Sequence, residues 1–197
     1  ALTELAALGV SAVGLEAGSV GEGAAGRNGG FLLAGLASFF NDAVARFGEA
    51  PASGLYRETI REIQRQAEEW PDFIRLTGSL RIAADAEEME DCRKHLAALQ
   101  YCGLPAEAYA GPEGEGLLLP TDGVMHPLRR LHGMAQKLRQ RDVLLYENSP
   151  VRRFVPGSVI TDRGTVFCEH VIVAVDGRLE MLFPELSPRV RTARLQM

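Results

Sequence analysis

The residues with the most chemical promise lie together near the N-terminus. Glu16 ends the apolar run VSAVGL, and the glycine-rich stretch AGSVGEGAAGRNGG follows from Ala17 to Gly30. A carboxylate at the end of a strand offers paired acceptors at the spacing of a vicinal diol, such as the ribose of a nucleotide. Glycines beyond it let backbone N–H groups approach a ligand without side-chain obstruction, and a turn of such amides makes a concavity that suits a pyrophosphate. Arg27 adds a cation that fits a phosphate or a surface salt bridge, and Asn28 is a turn former. On residue types alone, a plain surface loop reads equally well.

The elements around this stretch are those of a nucleotide-binding sheet. Leu2, Leu5, Ala6 and Leu8 share one helical face, Gly9 stops the helix, and VSAVGLEA follows as a short buried strand of a parallel sheet. LASFFNDAVARF predicts a helix. A longer one from Ser53 places Leu55, Tyr56, Thr59, Ile60, Ile63, Ala67 and Trp70 on one face, with Pro71 near its end. TGSLRIAA reads as a strand, and AEEMEDCRKHLAALQYCG as a helix that turns Met89, Cys92, Leu96 and Leu99 inward. YAGPEGEGLLLPTDG reads as a long connection, after which Pro127 opens the helix PLRRLHGMAQKLRQ. VLLYE is a second parallel-strand candidate. VRRFV, SVITD and TVFCE form an antiparallel meander, and HVIVAVD is a last buried strand.

Composition narrows the partners. The net charge of -5 leaves no basic face for nucleic acid, so a small or cationic partner fits better than a polyanion. No apolar run approaches the roughly 20 residues of an integral membrane segment, and a soluble, cytoplasmic protein is expected. Cys92, Cys102 and Cys168 have no metal-site or redox spacing and read as reduced, mostly buried thiols. No metal is expected. His126 reads as a cap at a helix start and His132 as solvated, while His95 and His170 lack a recognisable partner. Trp70 and Phe73 fit the border of a substrate cavity, though an inward Trp on an amphipathic helix is usually core, and the acidic run DAEEMED reads as a helix start.

The loop E-A-G-x-x-G-x-G-A-A-G-R-N-G-G resembles the segment after the second strand in FAD-dependent amine and amino-acid oxidoreductases of the D-amino-acid oxidase and glycine oxidase superfamily. It is most similar to the γ-glutamylputrescine oxidase-like branch. TGSLRIA, DGVMHPLRRLHGMAQKL and LLYENSPVRRF with the meander and VIVAV extend the likeness along nearly the whole chain. The resemblance implies that Glu16 binds the adenosine ribose, Ala17 lines the adenine side, and Ala24 and Ala25 lie against the pyrophosphate through backbone amides. It implies that Gly29, Gly30 and Phe31 run beside the ribityl chain and flavin ring, with Arg27 and Asn28 in the same loop. Val151 would read the adenine edge with its backbone, and Ala174 and Val175 would pass over the pyrophosphate. Asp176 departs from the small neutral residue usual in the family at that point.

The implied fold class is α/β: a Rossmann-like FAD-binding parallel sheet with an antiparallel β-meander and an inserted α+β substrate-domain portion. Residues 1–50 would form the first part of the FAD-binding domain and 51–120 the inserted portion. Residues 121–180 would form the second part with the meander, and 181–197 the start of a crossover into further substrate domain. The family's first strand and G-x-G-x-x-G turn are expected before Ala1, and its second half beyond Met197. The implied activity is oxidation of a small amine or amino acid to an imine, with FAD taking the hydride and no catalytic side chain assigned. Two other readings stand beside it: a non-catalytic structural or binding remnant of the fold stabilised by a partner chain, and an NAD-dependent dehydrogenase; a homo-oligomer or a partner subunit is a separate expectation for its partners.

Overall fold

The computed structural model describes residues 1–175, 177, 179–190 and 192. The chain divides into two compact units, one of Ala1–Gly29 with Leu131–Met197 and one of Gly30–Arg130. Among the described residues, helices α1 (Leu2–Ala7), α2 (Phe40–Phe47), α3 (Glu49–Glu69), α4 (Ala86–Tyr101), α5 (Pro127–Gln140) and α6 (Leu179–Leu182) are joined by eleven strands. In the first unit, β1 (Val13–Leu15) pairs in parallel with β8 (Leu144–Tyr146), placing Leu15 opposite Tyr146. Beside them in sequence, β9 (Val151–Val155), β10 (Ser158–Thr161) and β11 (Gly164–Phe167) form the antiparallel meander, in the order β11-β10-β9.

The parallel pair and the meander are where the hydrophobic runs and the PG and RG turns place them. The expected last strand is not formed. Residues 171–175 of HVIVAVD have no strand structure, and Ile172 is 62% exposed. An apolar run becomes a strand only where a neighbour completes its backbone hydrogen bonds, and among the described residues none pairs with it. Asp176 lies outside the described residues, as do Arg191 and residues 193–197 of the expected crossover. β1 is also half-buried along its length, not fully enclosed.

The second unit holds two antiparallel sheets of three strands. One orders β2 (Phe31–Leu32), β7 (Gly123–Met125) and β3 (Ile74–Leu76); the other orders β4 (Ser79–Ile82), β6 (Gly114–Leu119) and β5 (Glu107–Gly111). The expected connection YAGPEGEGLLLPTDG is therefore mostly a hairpin, β5 to β6, with Pro112 and Glu113 at its turn. Its glycines serve the sheet: a Cβ on Gly116, in the central strand, would stand 1.9 Å from the Arg81 carbonyl oxygen of β4. β3 was not legible in the short run after Pro71.

Helix α3 begins at Glu49, ahead of the expected Ser53, because Pro51 falls in the first turn, where the missing N–H costs no intrahelical bond. Its buried stripe is Ala52, Tyr56, Ile60 and Ile63, while Leu55 is exposed. Phe40 meets Tyr56 edge-on at 5.6 Å, and Leu99 and Leu104 complete the same core. Trp70 is buried and stacks on the half-buried Phe73. Asp85 caps α4 by accepting the Glu88 amide at 2.9 Å, and Glu88 in return accepts the Ala84 amide at 2.8 Å. The inward face of α4 is Cys92, His95 and Leu99, with Met89 and Leu96 only partly buried.

Candidate cofactor site

The loop after β1 is clamped by the chain that leaves β8. Tyr146 accepts the Glu16 amide at 2.8 Å, Glu16 accepts the Ser149 amide at 2.8 Å, and Gly18 accepts the Asn148 amide at 2.8 Å. Asn148 makes this possible by adopting the left-handed region at φ 50, which asparagine tolerates better than most residues. Parallel pairing thus brings Glu16 beside a segment that starts β9 at Val151, joining positions far apart in sequence.

Glu16 is half-buried, and its Oε1 accepts the Gly18 amide at 2.9 Å. Among the described residues no protein donor reaches Oε2, so the carboxylate keeps acceptor capacity for a diol. Farther along, Ala24–Gly26 form a short 3-10 turn. The Asn28 amide group donates to the carbonyls of Ala24 at 3.2 Å and Ala25 at 2.8 Å. In a trans peptide the N–H points opposite the carbonyl, so the Ala25 amide faces away from Asn28. Ala24 and Ala25 are exposed residues, and their amides have no acceptor among the described residues. Arg27 is exposed with no ion pair among them. A diol acceptor, free amides and an unpaired cation in one loop fit the ribose and pyrophosphate of a dinucleotide.

The remaining positions are less convergent. Ala17 is exposed beside Glu16. Ala174 and Val175 lie in the unpaired segment and form no hydrogen bond to the loop among the described residues. Gly29 closes the first unit; Gly30 and Phe31 belong to the second. Gly30 has φ +73, and a Cβ there would stand 2.1 Å from the Met125 carbonyl oxygen, so the close approach it permits is to β7. Phe31 is 66% exposed.

Sequence reasoning missed the residues that hold the loop. The Val20 amide donates to Glu147 Oε1 at 2.7 Å, and Arg139 donates to Glu147 Oε2 at 3.1 Å. His132, expected to be solvated, is exposed but bonds the Val20 carbonyl through Nε2 at 3.1 Å. Nothing in the spacing of residues 20, 132 and 147 signals this meeting. His126 behaves as a cap, its Nδ1 accepting the Arg129 amide at 3.3 Å.

In the second unit, Asp122 is fully buried and unanticipated. It accepts the Ala34 amide at 2.8 Å and the Ser79 hydroxyl at 2.6 Å. Burial, then the Asp122 charge, pushes the Tyr56 hydroxyl up to about 12.

A family model described as FAD dependent oxidoreductase, DAO, matches residues 1–197. The chain belongs to the DAO family of FAD-dependent oxidoreductases. Its cofactor class is FAD, and the α/β architecture, with one parallel and several antiparallel sheets, is that of the DAO fold. A curated DAO relative, gamma-glutamylputrescine oxidoreductase of Escherichia coli, is 29% identical over 94% of this chain and 48% of its own length. L-proline dehydrogenase from P. horikoshii shares the fold at a TM-score of 0.73, with 21% identity over 96% of this chain and 53% of that one. Glycine oxidase from Geobacillus kaustophilus does so at 0.63, with 19% identity over 85% of this chain and 49% of that one. The chain thus spans about half the length of these relatives. Among the described residues no helix is long and apolar enough to cross a membrane.

Proposed function

We propose that this chain forms the FAD-binding portion of an oxidoreductase that converts a small amine or amino acid to an imine. The observation that carries the reading is the loop from Glu16 to Asn28. It combines a carboxylate with acceptor capacity to spare, Ala24 and Ala25 amides without an acceptor among the described residues, and an Arg27 without an ion pair among them.

In this reading Glu16 accepts the adenosine ribose hydroxyls, Ala17 lines the adenine, and the Val151 backbone reads its edge. The Ala24 and Ala25 amides face the pyrophosphate, Arg27 offsets its charge, and Asn28 holds the turn by donating to the Ala24 and Ala25 carbonyls. Ala174 and Val175 would pass over the pyrophosphate, and Gly29 would leave room near the ribityl chain. For Gly30 and Phe31 the role beside the flavin rests on the family resemblance. When bound, FAD supplies the acceptor for a hydride from the carbon beside the amine, leaving an imine for water to hydrolyse. The chain's own contribution is binding and orientation, in keeping with the absence of an assigned acid or base.

A second reading, in which this chain catalyses nothing alone, is favoured by the exposed apolar segment 171–175. The first is tested by purifying the full-length protein under native conditions, recording its ultraviolet and visible spectrum, and assaying amines and amino acids for oxygen uptake or dye reduction; the second by the same assay on residues 1–197 alone. A flavin spectrum bleached by an amine is the expected result. A protein that carries no flavin and takes up none on reconstitution ends the proposal, and a nicotinamide spectrum would replace it.

A further inference from the structure

We infer that Glu147 and His132 are positioning residues for the cofactor loop, gripping both polar groups of Val20 so that the Ala24 and Ala25 amides are ordered before FAD binds. The inference rests on the FAD reading above.

Val20 lies between the two ligand-facing parts of the loop, Glu16 and Ala24–Ala25. Its N–H is held by Glu147 at 2.7 Å and its carbonyl by His132 at 3.1 Å. The carboxylate is itself held by Arg139 at 3.1 Å, and an ionised acceptor makes the stronger kind of hydrogen bond. Both helical members come from α5, and Glu147 follows β8 directly. From Gly21 to Arg27, every hydrogen bond among the described residues is internal to the loop: Glu22 to Ser19, Ser19 to the Glu22 carboxylate, Gly26 to Gly23, Arg27 to Ala24, and Asn28 to Ala24 and Ala25. Val20 is therefore the last tie to the body of the unit ahead of the free amides. Without it, the cost of ordering the loop falls on the binding step and lowers affinity. Neither side chain needs to touch the cofactor for this.

The experiment compares the wild-type full-length protein with Glu147→Ala, Glu147→Gln, Arg139→Ala and His132→Ala, each stripped of flavin. FAD affinity is read by titration and loop order by amide hydrogen exchange over residues 19–29 of the cofactor-free protein. Glu147→Ala is expected to weaken FAD binding by about tenfold or more, the scale of one charged hydrogen bond, and to speed exchange in the loop. Glu147→Gln, which keeps an acceptor oxygen for Val20, restores most of the affinity, and Arg139→Ala stays within about threefold of wild type. FAD binding by Glu147→Ala within about twofold of wild type overturns the inference, as does a Glu147→Gln variant as defective as Glu147→Ala. Should Glu147→Ala not fold, exposed His132→Ala carries the test: faster loop exchange with weaker FAD binding supports the inference, and wild-type behaviour in both overturns it. A wild-type protein that takes up no FAD refutes the FAD reading itself, an outcome distinct from a variant that binds as wild type does.

Discussion

His95 Nδ1, on α4, accepts the amide hydrogen of Phe40 at 2.8 Å and so caps α2, whose own N-cap residue supplies no side-chain bond. The bond requires an unprotonated Nδ1. Burial, with the nearby Arg81 charge, pushes the imidazole down to about 4 against an opposing pull from Asp42. The Phe39 ring meets the imidazole edge-on at 5.2 Å, and Arg81 sits 4.2 Å over that ring.

The unfolded chain therefore takes up a proton on His95 that the native chain refuses as pH falls from 6.5 to about 4. Native stability is fully present above that window and declines through it, by up to about 3 kcal/mol for this group alone. Urea unfolding at a series of pH values should show the stability advantage of wild type over His95→Gln shrinking across the window. A constant difference between the two would contradict this account.

Asp122→Ala leaves the Ala34 amide and the Ser79 hydroxyl without their buried acceptor. A loss of about 3 kcal/mol or more is expected, with Asp122→Asn intermediate because one acceptor oxygen remains. Equilibrium denaturation at neutral pH measures both.

Tyr56 provides an alkaline counterpart. Its hydroxyl ionises near 10 in the unfolded chain and at about 12 in the native one, so the native state keeps a proton that the unfolded state has lost. Stability falls as pH rises between those values, and Tyr56→Phe should flatten that part of the denaturation profile relative to wild type.

Glu16→Ala removes the proposed ribose acceptor and should weaken FAD binding by about tenfold or more. Titration of flavin-free protein reads the affinity. Equal affinity in wild type and variant would remove Glu16 from the site.

Gly30→Ala forces a side chain into φ +73 and against the Met125 carbonyl oxygen at 2.1 Å. A loss of about 2 kcal/mol or more is expected from strain and clash together. A thermal midpoint equal to that of wild type would show that β2 and β7 can part without cost.

Local chemistry was legible in the letters of the chain. The acidic residue after β1, the helix start at DAEEMED and the meander turns all depend on residues near one another in sequence and formed as read, whereas α3 began ahead of Ser53 with Leu55 exposed and α4 left Met89 and Leu96 only partly buried. The hairpin from Glu107 to Leu119 was misread because its glycines look like loop punctuation, whereas Gly116 is demanded by the carbonyl of a strand remote in sequence. The run 171–175 failed in the opposite sense, since hydrophobicity makes a segment ready to be a strand but its pairing partner makes it one. The loop's shape also came from afar, through Asn148, Glu147 and His132, and among the described residues Asp122 supplies a fully buried carboxylate to the core. Sequence by itself thus determined the loop's composition and its kinship to FAD-dependent oxidoreductases. Folding determined which groups in that loop are already used and which are left for a ligand, because a backbone amide is free or satisfied only by virtue of what lies across from it in space.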